Sequence, residues 1–567
     1  MHASPRCNHI GHVSATDRAL AMGDVGLTSL AALPAEALRD RLPELFAAIE
    51  AAGDAADAPL VASLALQKAL QGEAGYAKLK EDATLTLAKA GLEHWSKEVR
   101  ALTATQLTRL AHNAADVTLL KARGLLLKLV QLIGDESLQV KRLSPLSPSA
   151  LRPSPSPLTV RLIVYSSVQV SQKATAFFVA CAAAGAEALS AVLLDADTLE
   201  ALRALGRGGG SVVHLRVLDL CASLAVAGAA QFRLVDDSNL LSPVVELWRT
   251  NDPLVQLNAV ELFATLASAP AGLPWLEAAG VLSELAALLD TPHGDDPMLD
   301  LLRPATLSCL GSILTSGGPA ASASLLLDLR LVHRVWPLLN GSPPEILLGA
   351  LATLTAAAAH ALGAAHILEE HAGSVRLLGS LLRAHDEHTR VGAMSLTAQL
   401  MQTHALRVQQ PTASGGDGLA SAMDVDTVPS VGIGDEAALR SLFEGCSPSA
   451  STSAADAIAA MGSSLSAEVR GGALRMLHGM ASVQWGAEAL CASEGVLELL
   501  LTMEPVHAVP AEELRMKHAV AAAIAAWPDT IDALGAGTAA NIRAYVAAGP
   551  FKPQRPRAAR VAAPLTL

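Results

Sequence analysis

One spacing recurs along this 567-residue chain and restricts its fold more than any other feature. A turn residue precedes an aliphatic anchor, and four positions after the anchor stands a residue, usually small, that opens an apolar stretch. The anchors are Val99, Val213, Val255, Leu301, Ile346, Val391 and Val469. The fourth position holds Ala259, Ala305, Ala350 and Ala473, with Thr103, Val217 and Ser395 in the other units. From Val213 onward, successive anchors stand 42, 46, 45 and 45 residues apart. A second landmark follows the first by 25 to 27 residues: Gly124, Asn239, Gly280, Gly373 and Gly495. Glycine and asparagine tolerate the left-handed conformation, so each landmark predicts a chain reversal. A short aliphatic helix is expected after each.

One such unit cannot bury its apolar face alone, so neighbours must stack into a continuous core. A small residue at a fixed place lets adjacent helices approach closely. A period near 42 in this order looks like armadillo or HEAT units. The expected fold is an all-α solenoid, a right-handed superhelix of short helices. Composition agrees: 51% of residues are hydrophobic but only 3% aromatic. The apolar mass is Ala and Leu, strong helix formers, which excludes an all-β architecture. A mean hydropathy of +0.37 excludes a wholly disordered chain.

The period breaks twice. Arg142–Pro157 reads RLSPLSPSALRPSPSP, a proline density that no helix interior accepts. The pattern resumes at Val170, with Ala174 four positions on, and removing residues 141–170 restores the period on both sides. Residues 141–169 are therefore expected to be an insertion, either a loop or translated intron sequence. The second break is a Gly/Ser/Asp-rich linker over 410–435. Solenoid repeats are expected over 25–140, 170–409 and 436–551, between a disordered extension (1–24) and a disordered tail (552–567). The ordered pattern starts after Met22-Gly-Asp, so the first 21 residues read as dispensable and Met22 as a second candidate start.

No chemistry of a known motif stands out. Gly206-Arg-Gly-Gly-Gly-Ser211 lacks the Lys-Ser/Thr end of a phosphate-binding loop. There is no HExxH, no GxSxG and no dinucleotide or kinase fingerprint. His360, His366, His371, His385 and His388 are dense, but His385-Asp-Glu-His388 falls in an inter-repeat turn with no Cys nearby. Solvated histidines are expected there, not a metal site. No catalytic residue, metal or cofactor is expected, and the chain reads as a non-enzyme.

The formal net charge of −13 disfavours nucleic acid as a partner. The one basic cluster, Lys552, Arg555, Arg557 and Arg560, lies in the proline-interleaved tail. Six scattered cysteines without a CxxC pair fit buried thiols in a reducing compartment. Ala174–Leu194 and Ala350–Leu368 are long enough to test as membrane spans, but both are Ala-rich and interrupted by Glu187 or by His360 and His366. Buried soluble helices are expected, with no membrane partner.

Peptide-binding armadillo proteins carry an asparagine ladder on the third helix. Six residues after the small position this chain has Arg109, Thr265, Met401 and Gly479 instead. A folded-domain partner is therefore expected over an extended peptide.

The wording of several units carries a resemblance. VRALTATQLTRLAHNAADVTLL (Val99–Leu120) is followed by a Leu-rich helix and Ile133-Gly-Asp-Glu-Ser-Leu. Glu468-Val-Arg-Gly-Gly-Ala-Leu-Arg-Met-Leu-His-Gly-Met-Ala precedes Trp485, and the end reads Asn541-Ile-Arg-Ala-Tyr545-Val-Ala-Ala-Gly549-Pro550-Phe551. These segments resemble the family of 26S proteasome non-ATPase regulatory subunit 5, armadillo/HEAT-like chaperones of regulatory particle base assembly. The resemblance implies binding of an ATPase subunit of the base through the C-terminal helical region, which delays docking on the core particle. It supplies no catalytic residues and places no partner contact on a particular position. It further implies a protein that is monomeric when free and works in the cytoplasm, with the nucleus as an additional site. The alternative is a generic armadillo scaffold or adaptor.

Overall fold

The computed structural model describes residues 27–52, 58–94, 97–134, 157–208, 211–250, 252–291, 297–370, 375–409, 433–447, 452–502 and 510–551. Among the described residues every regular element is a helix, and they build an all-α solenoid of stacked repeats. Most repeats pair two short helices with a longer third one, as in Ala361–Glu370, Val375–Leu381 and Glu387–Gln409. The third helices are Lys97–Leu107, Pro157–Ala184, Ser211–Ala225, Pro253–Ala267, Pro297–Ser316, Pro344–Ala358, Glu387–Gln409, Ala467–Ala481 and Ala511–Ala525. The expected extension (1–24), most of the linker (410–432) and the tail (552–567) lie outside the described residues.

The third helices share one burial pattern. In Pro344–Ala358 the buried residues are Ile346, Ala350, Leu351, Thr353, Leu354, Ala357 and Ala358. In Ala467–Ala481, Val469, Ala473, Leu474, Met476, Leu477, Met480 and Ala481 repeat the same offsets. Steps of three and four keep these residues on one face, and the adjacent pairs widen it so that both neighbouring repeats clasp it.

That pattern corrects two anchors. Leu301 is 46% exposed and Leu302 takes the buried place, with Thr306, not Ala305, four positions on. Val391 is half-buried, and Thr389 is the anchor, with Ala393 in place of Ser395. The cause at Thr389 is the cap: an Asp386 carboxylate oxygen accepts from the Thr389 backbone N–H at 2.7 Å, starting the helix early enough to turn the threonine inward. The corrected anchors from Val213 stand 42, 47, 44 and 43 residues apart. A last repeat escapes the aliphatic pattern because its third helix places Glu513 and the buried Lys517 at the anchor and fourth positions.

Gly124, Gly280 and Asn239 do adopt the left-handed conformation, at φ of +67°, +76° and +53°. Gly495 does not. It lies in the first turn of Glu494–Leu501, where the Ser493 hydroxyl caps the Val496 N–H and makes a left-handed entry unnecessary. Gly373 lies outside the described residues.

The helix expected to resume at Val170 begins at Pro157. Pro157 ends the proline run and fits the first helical position, where no N–H is needed, and the residues after it contain no helix breaker. Residues 157–169 of the expected insertion are therefore helical, and 141–156 lie outside the described residues. No single described helix is long and apolar enough to cross a membrane. Of the two stretches tested, one breaks at Gly185 (φ +134°) and the other bends by 120° between Pro344–Ala358 and Ala361–Leu368.

The chain forms two compact units, Met1–Thr250 with Ser268–Trp275, and Asn251–Ala267 with Leu276–Leu567. In the first, Asp116 is buried and accepts from the Tyr76 hydroxyl at 2.5 Å and from Lys80 Nζ at 2.9 Å. The Gln231 amide also donates to the Ala182 carbonyl at 3.0 Å, tying one repeat to the next.

In the second unit such ties form a ladder. The carbonyl twelve positions after the anchor ends the buried face of each third helix. His360 Nε2 donates to Leu314 at 2.8 Å, Thr403 Oγ1 to Ala358 at 2.7 Å and Trp527 Nε1 to Ala481 at 2.9 Å. Each donor stands fourteen positions after its own anchor. These bonds satisfy carbonyls that a helix end leaves open and hold successive repeats in register.

Candidate functional site

The outer face of three central third helices in the second unit, Pro297–Ser316, Pro344–Ala358 and Glu387–Gln409, is the first candidate surface, and the third helices on either side carry Glu261 and Arg475 at the corresponding position. On the three stacked neighbours the face presents Ser308, Gly311 and Ser312, then Ala352, Thr355 and Ala356, then Ser395, Gln399 and Gln402. All are exposed or half-buried and none is charged. Protein surfaces ordinarily carry charge at roughly a quarter to a third of positions. Depletion of charge is the composition of an interface centre, where desolvating an ion would cost more than the contact returns.

The residues expected at the peptide-ladder position are engaged or buried. The Arg109 guanidinium donates to the Leu70 carbonyl and, at 2.8 Å, to the Gly72 carbonyl. Thr265 Oγ1 donates to the Glu261 carbonyl at 3.1 Å. Met401 is fully buried, because the corrected register puts Gln399 in its place. Gly479 lies against the Ala398 backbone so closely that a Cβ would sit 2.7 Å from the carbonyl oxygen. Gln399 donates to Thr403 Oγ1 at 3.2 Å. No asparagine takes this position in any third helix.

A cleft opens at the end of Glu387–Gln409 and is the second candidate. Its wider part has a volume of about 590 Å³ and runs from Gln402 and Leu406 past His478 and Ser482 to Ala523 and Trp527. A contiguous part, sharing Ala405, Ser482 and Trp527, adds His404, Val408, Glu436, Arg440, Trp485 and Glu488. Leu406 and Val408 are 62% and 58% exposed. The Arg440 guanidinium pairs with Glu436 at 2.7 Å and lies 5.3 Å from the Trp485 ring centre, while Phe443 abuts the same ring at 6.0 Å. The Gln402 amide donates to His478 Nδ1 at 3.1 Å, and burial holds the His478 imidazole below its ordinary pKa. That histidine is therefore the neutral acceptor at this contact. Both tryptophans are legible in the sequence, but their convergence with residues from 402 to 440 is not.

The remaining sequence candidates are dispersed. His360 is an inter-repeat donor, and His388 Nδ1 pairs with Glu468 at 3.3 Å on the exposed surface. His385 is exposed, His366 half-buried, and His371 lies outside the described residues. No group of three His, Cys, Asp or Glu among the described residues could hold a metal ion. Burial pushes the thiols of Cys181, Cys221, Cys309 and Cys446 up to about 12 and that of Cys491 to about 11. Such thiols are poor nucleophiles. At the C-terminal end, Gly549 turns the chain at φ +83° and Phe551 comes to lie 5.5 Å beneath the Arg515 guanidinium.

Known proteins add the following. An engineered protein aligns over 85% of this chain and 98% of its own, at 17% identity and a TM-score of 0.41. A designed armadillo repeat protein aligns over 50% of this chain and 98% of its own, at 19% identity and a TM-score of 0.33. A further designed armadillo repeat protein, in complex with the peptide (KR)4, covers 48% and 99%, at 20% identity and 0.32. No curated protein matches the sequence. The family model described as "Proteasome non-ATPase 26S subunit" matches residues 161–423, between the N- and C-terminal segments that carry the resemblance noted above. Over that span the chain is similar to the proteasome non-ATPase 26S subunit family.

Proposed function

We propose that this chain is a non-catalytic chaperone for assembly of the 26S proteasome regulatory particle base. It binds an ATPase subunit and delays docking of that subunit on the core particle. The match of residues 161–423 to a proteasome non-ATPase 26S subunit model is the observation that carries this reading. The uncharged outer face of the three central third helices supports docking of a folded domain, since a charged peptide would find partner charges only at its edges, at Glu261 and Arg475. The free protein is monomeric and works in the cytoplasm in this reading, without metal, cofactor or nucleic acid.

Affinity purification of the tagged full chain from cell extract, read by mass spectrometry, tests it. The expected result is base ATPase subunits without a full complement of core-particle subunits. Recovery of intact 26S particles only, or of no proteasome subunit, overturns it, and the second result leaves a general scaffold.

A further inference from the structure

We propose that the cleft beside the overhanging end of Glu387–Gln409 takes a peptide segment of a protein partner. The segment offers an apolar side chain, a backbone carbonyl and a neighbouring lysine or arginine.

The cleft lies at one of two third-helix ends in the second unit that the next repeat does not cap; at the other, Ser316 Oγ turns back to the Ser312 carbonyl and leaves Ala267 without that bond. Pro344–Ala358 and Ala467–Ala481 end at the carbonyl that the next repeat caps. After Glu387–Gln409 the residue in the capping position is Val483, which has no side-chain donor. Unlike Pro253–Ala267, which stops at its uncapped carbonyl, this helix runs on from Met401 to Gln409, an overhang of roughly 12 Å. The added turns carry Leu406 and Val408 into solvent beside the cleft, and Ala405, Ala523 and Ala526 give it an apolar lining.

Two polar features specify what enters. Trp485 Nε1 is buried with no acceptor among the described residues, although its ring is fixed by Arg440 and Phe443. A buried donor without an acceptor is costly, and a backbone carbonyl on the incoming segment relieves it. The charges are also unbalanced. Glu436 is neutralised by Arg440, whereas Glu488 receives only the neutral Gln484 amide at 3.2 Å. The lining therefore keeps one uncompensated carboxylate, complementary to a cation and repellent to an acidic segment. This inference rests on the reading of the chain as a docking protein, but it names a contact for a segment and not for the uncharged folded face.

The test uses the full chain with 15N-labelled indoles, whose six tryptophan signals are assigned with Trp485→Phe and Trp527→Phe. The probes are acetyl-Ala-Leu-Lys-Ala-amide and acetyl-Ala-Leu-Glu-Ala-amide. The lysine peptide is expected to shift the Trp485 indole proton downfield and saturably, with a Kd on the order of 1 mM. The glutamate peptide leaves that signal unmoved. Glu488 is exposed, so Glu488→Gln keeps the fold, and it weakens the lysine peptide about three- to fivefold. Equal shifts by both peptides, no shift at Trp485, or unchanged affinity in Glu488→Gln overturns the proposal. A Trp485 signal that ignores both peptides and moves only on deletion of residues 411–432 makes the chain's own segment the occupant and overturns it too. No ATPase is present in this assay, so its failure is separate from failure of the proposed function.

Discussion

Among the described residues Arg303 is the largest fully buried side chain, and it sits one position after the corrected anchor Leu302. Its guanidinium pairs with Asp300 and donates to the Thr291 carbonyl and, at 3.4 Å, to the Leu288 carbonyl. Arg100 does the same to His94 at 2.7 Å, and Arg470 to Ser464 and Leu465 at 2.9 Å each. An arginine in this place closes the turn between the second and third helices. Arg303→Leu leaves buried carbonyls and a carboxylate unpaired and is expected to cost about 3 kcal/mol, read from the urea midpoint. Arg303→Lys restores the charge but not the planar fork, so it should recover only part of the loss. The same arginines expose why the sequence reading slipped. Aligning Arg100, Arg303, Arg390 and Arg470 gives the true register, whereas aligning aliphatic residues picks Leu301 and Val391, which lie beside the core positions. His478 supports a second residue-scale prediction. Burial holds its native pKa below the unfolded value, so the unfolded chain takes up the proton first as pH falls. Stability is then full above the ordinary histidine range and declines as pH drops through it, from about 6.5. His478→Gln should flatten that decline, leaving the share from His214, which burial also lowers. Parallel declines in variant and wild type would remove His478 as a source.

Third helices approach each other over small residues, and glycines test how closely. A Cβ on Gly479 would meet the Ala398 carbonyl oxygen at 2.7 Å and its Cα at 3.1 Å, both backbone atoms that cannot swing aside. Gly479→Ala must push two helices apart and should cost about 1–3 kcal/mol. Gly471, in the same helix, would meet only the end of Arg475 at 3.6 Å. Gly471→Ala should stabilise by about 0.5–1 kcal/mol, because a mid-helix glycine wastes backbone entropy. Opposite signs of the two shifts in urea midpoint are the required result. Equal signs would mean that helix propensity, and not the approach of repeats, decides both positions. At this scale the period and the third helices were legible, since a buried stripe repeats wherever identical packing recurs. The inter-repeat ladder was not. Its donors are His360, Thr403 and Trp527, three chemistries that meet one need and share no sequence signature. The cleft was hidden as well, because its walls come from segments as far apart as Gln402 and Trp527.

Across the whole molecule, stability should be distributed by repeat, since most contacts join neighbours along the chain. The buried cysteines report this without added probes. Cys181 and Cys221 lie in the first unit, and Cys309, Cys446 and Cys491 lie in separate repeats of the second. With thiols raised to about 11 or 12 by burial, none should react with a disulfide reagent until its own repeat opens. Under native conditions Cys491, near the last described repeat, should label faster than Cys309, which has repeats packed on both sides. Gly479→Ala should accelerate Cys491 and Cys446 and leave Cys309 nearly unchanged, because destabilisation in a repeat array spreads only through adjoining interfaces. Labelling rates resolved cysteine by cysteine, by mass spectrometry of quenched samples, decide the matter. One common rate for all five would show a single cooperative block. A gradient would show a molecule that opens repeat by repeat from its end, beside the cleft and the uncharged face on which docking is proposed.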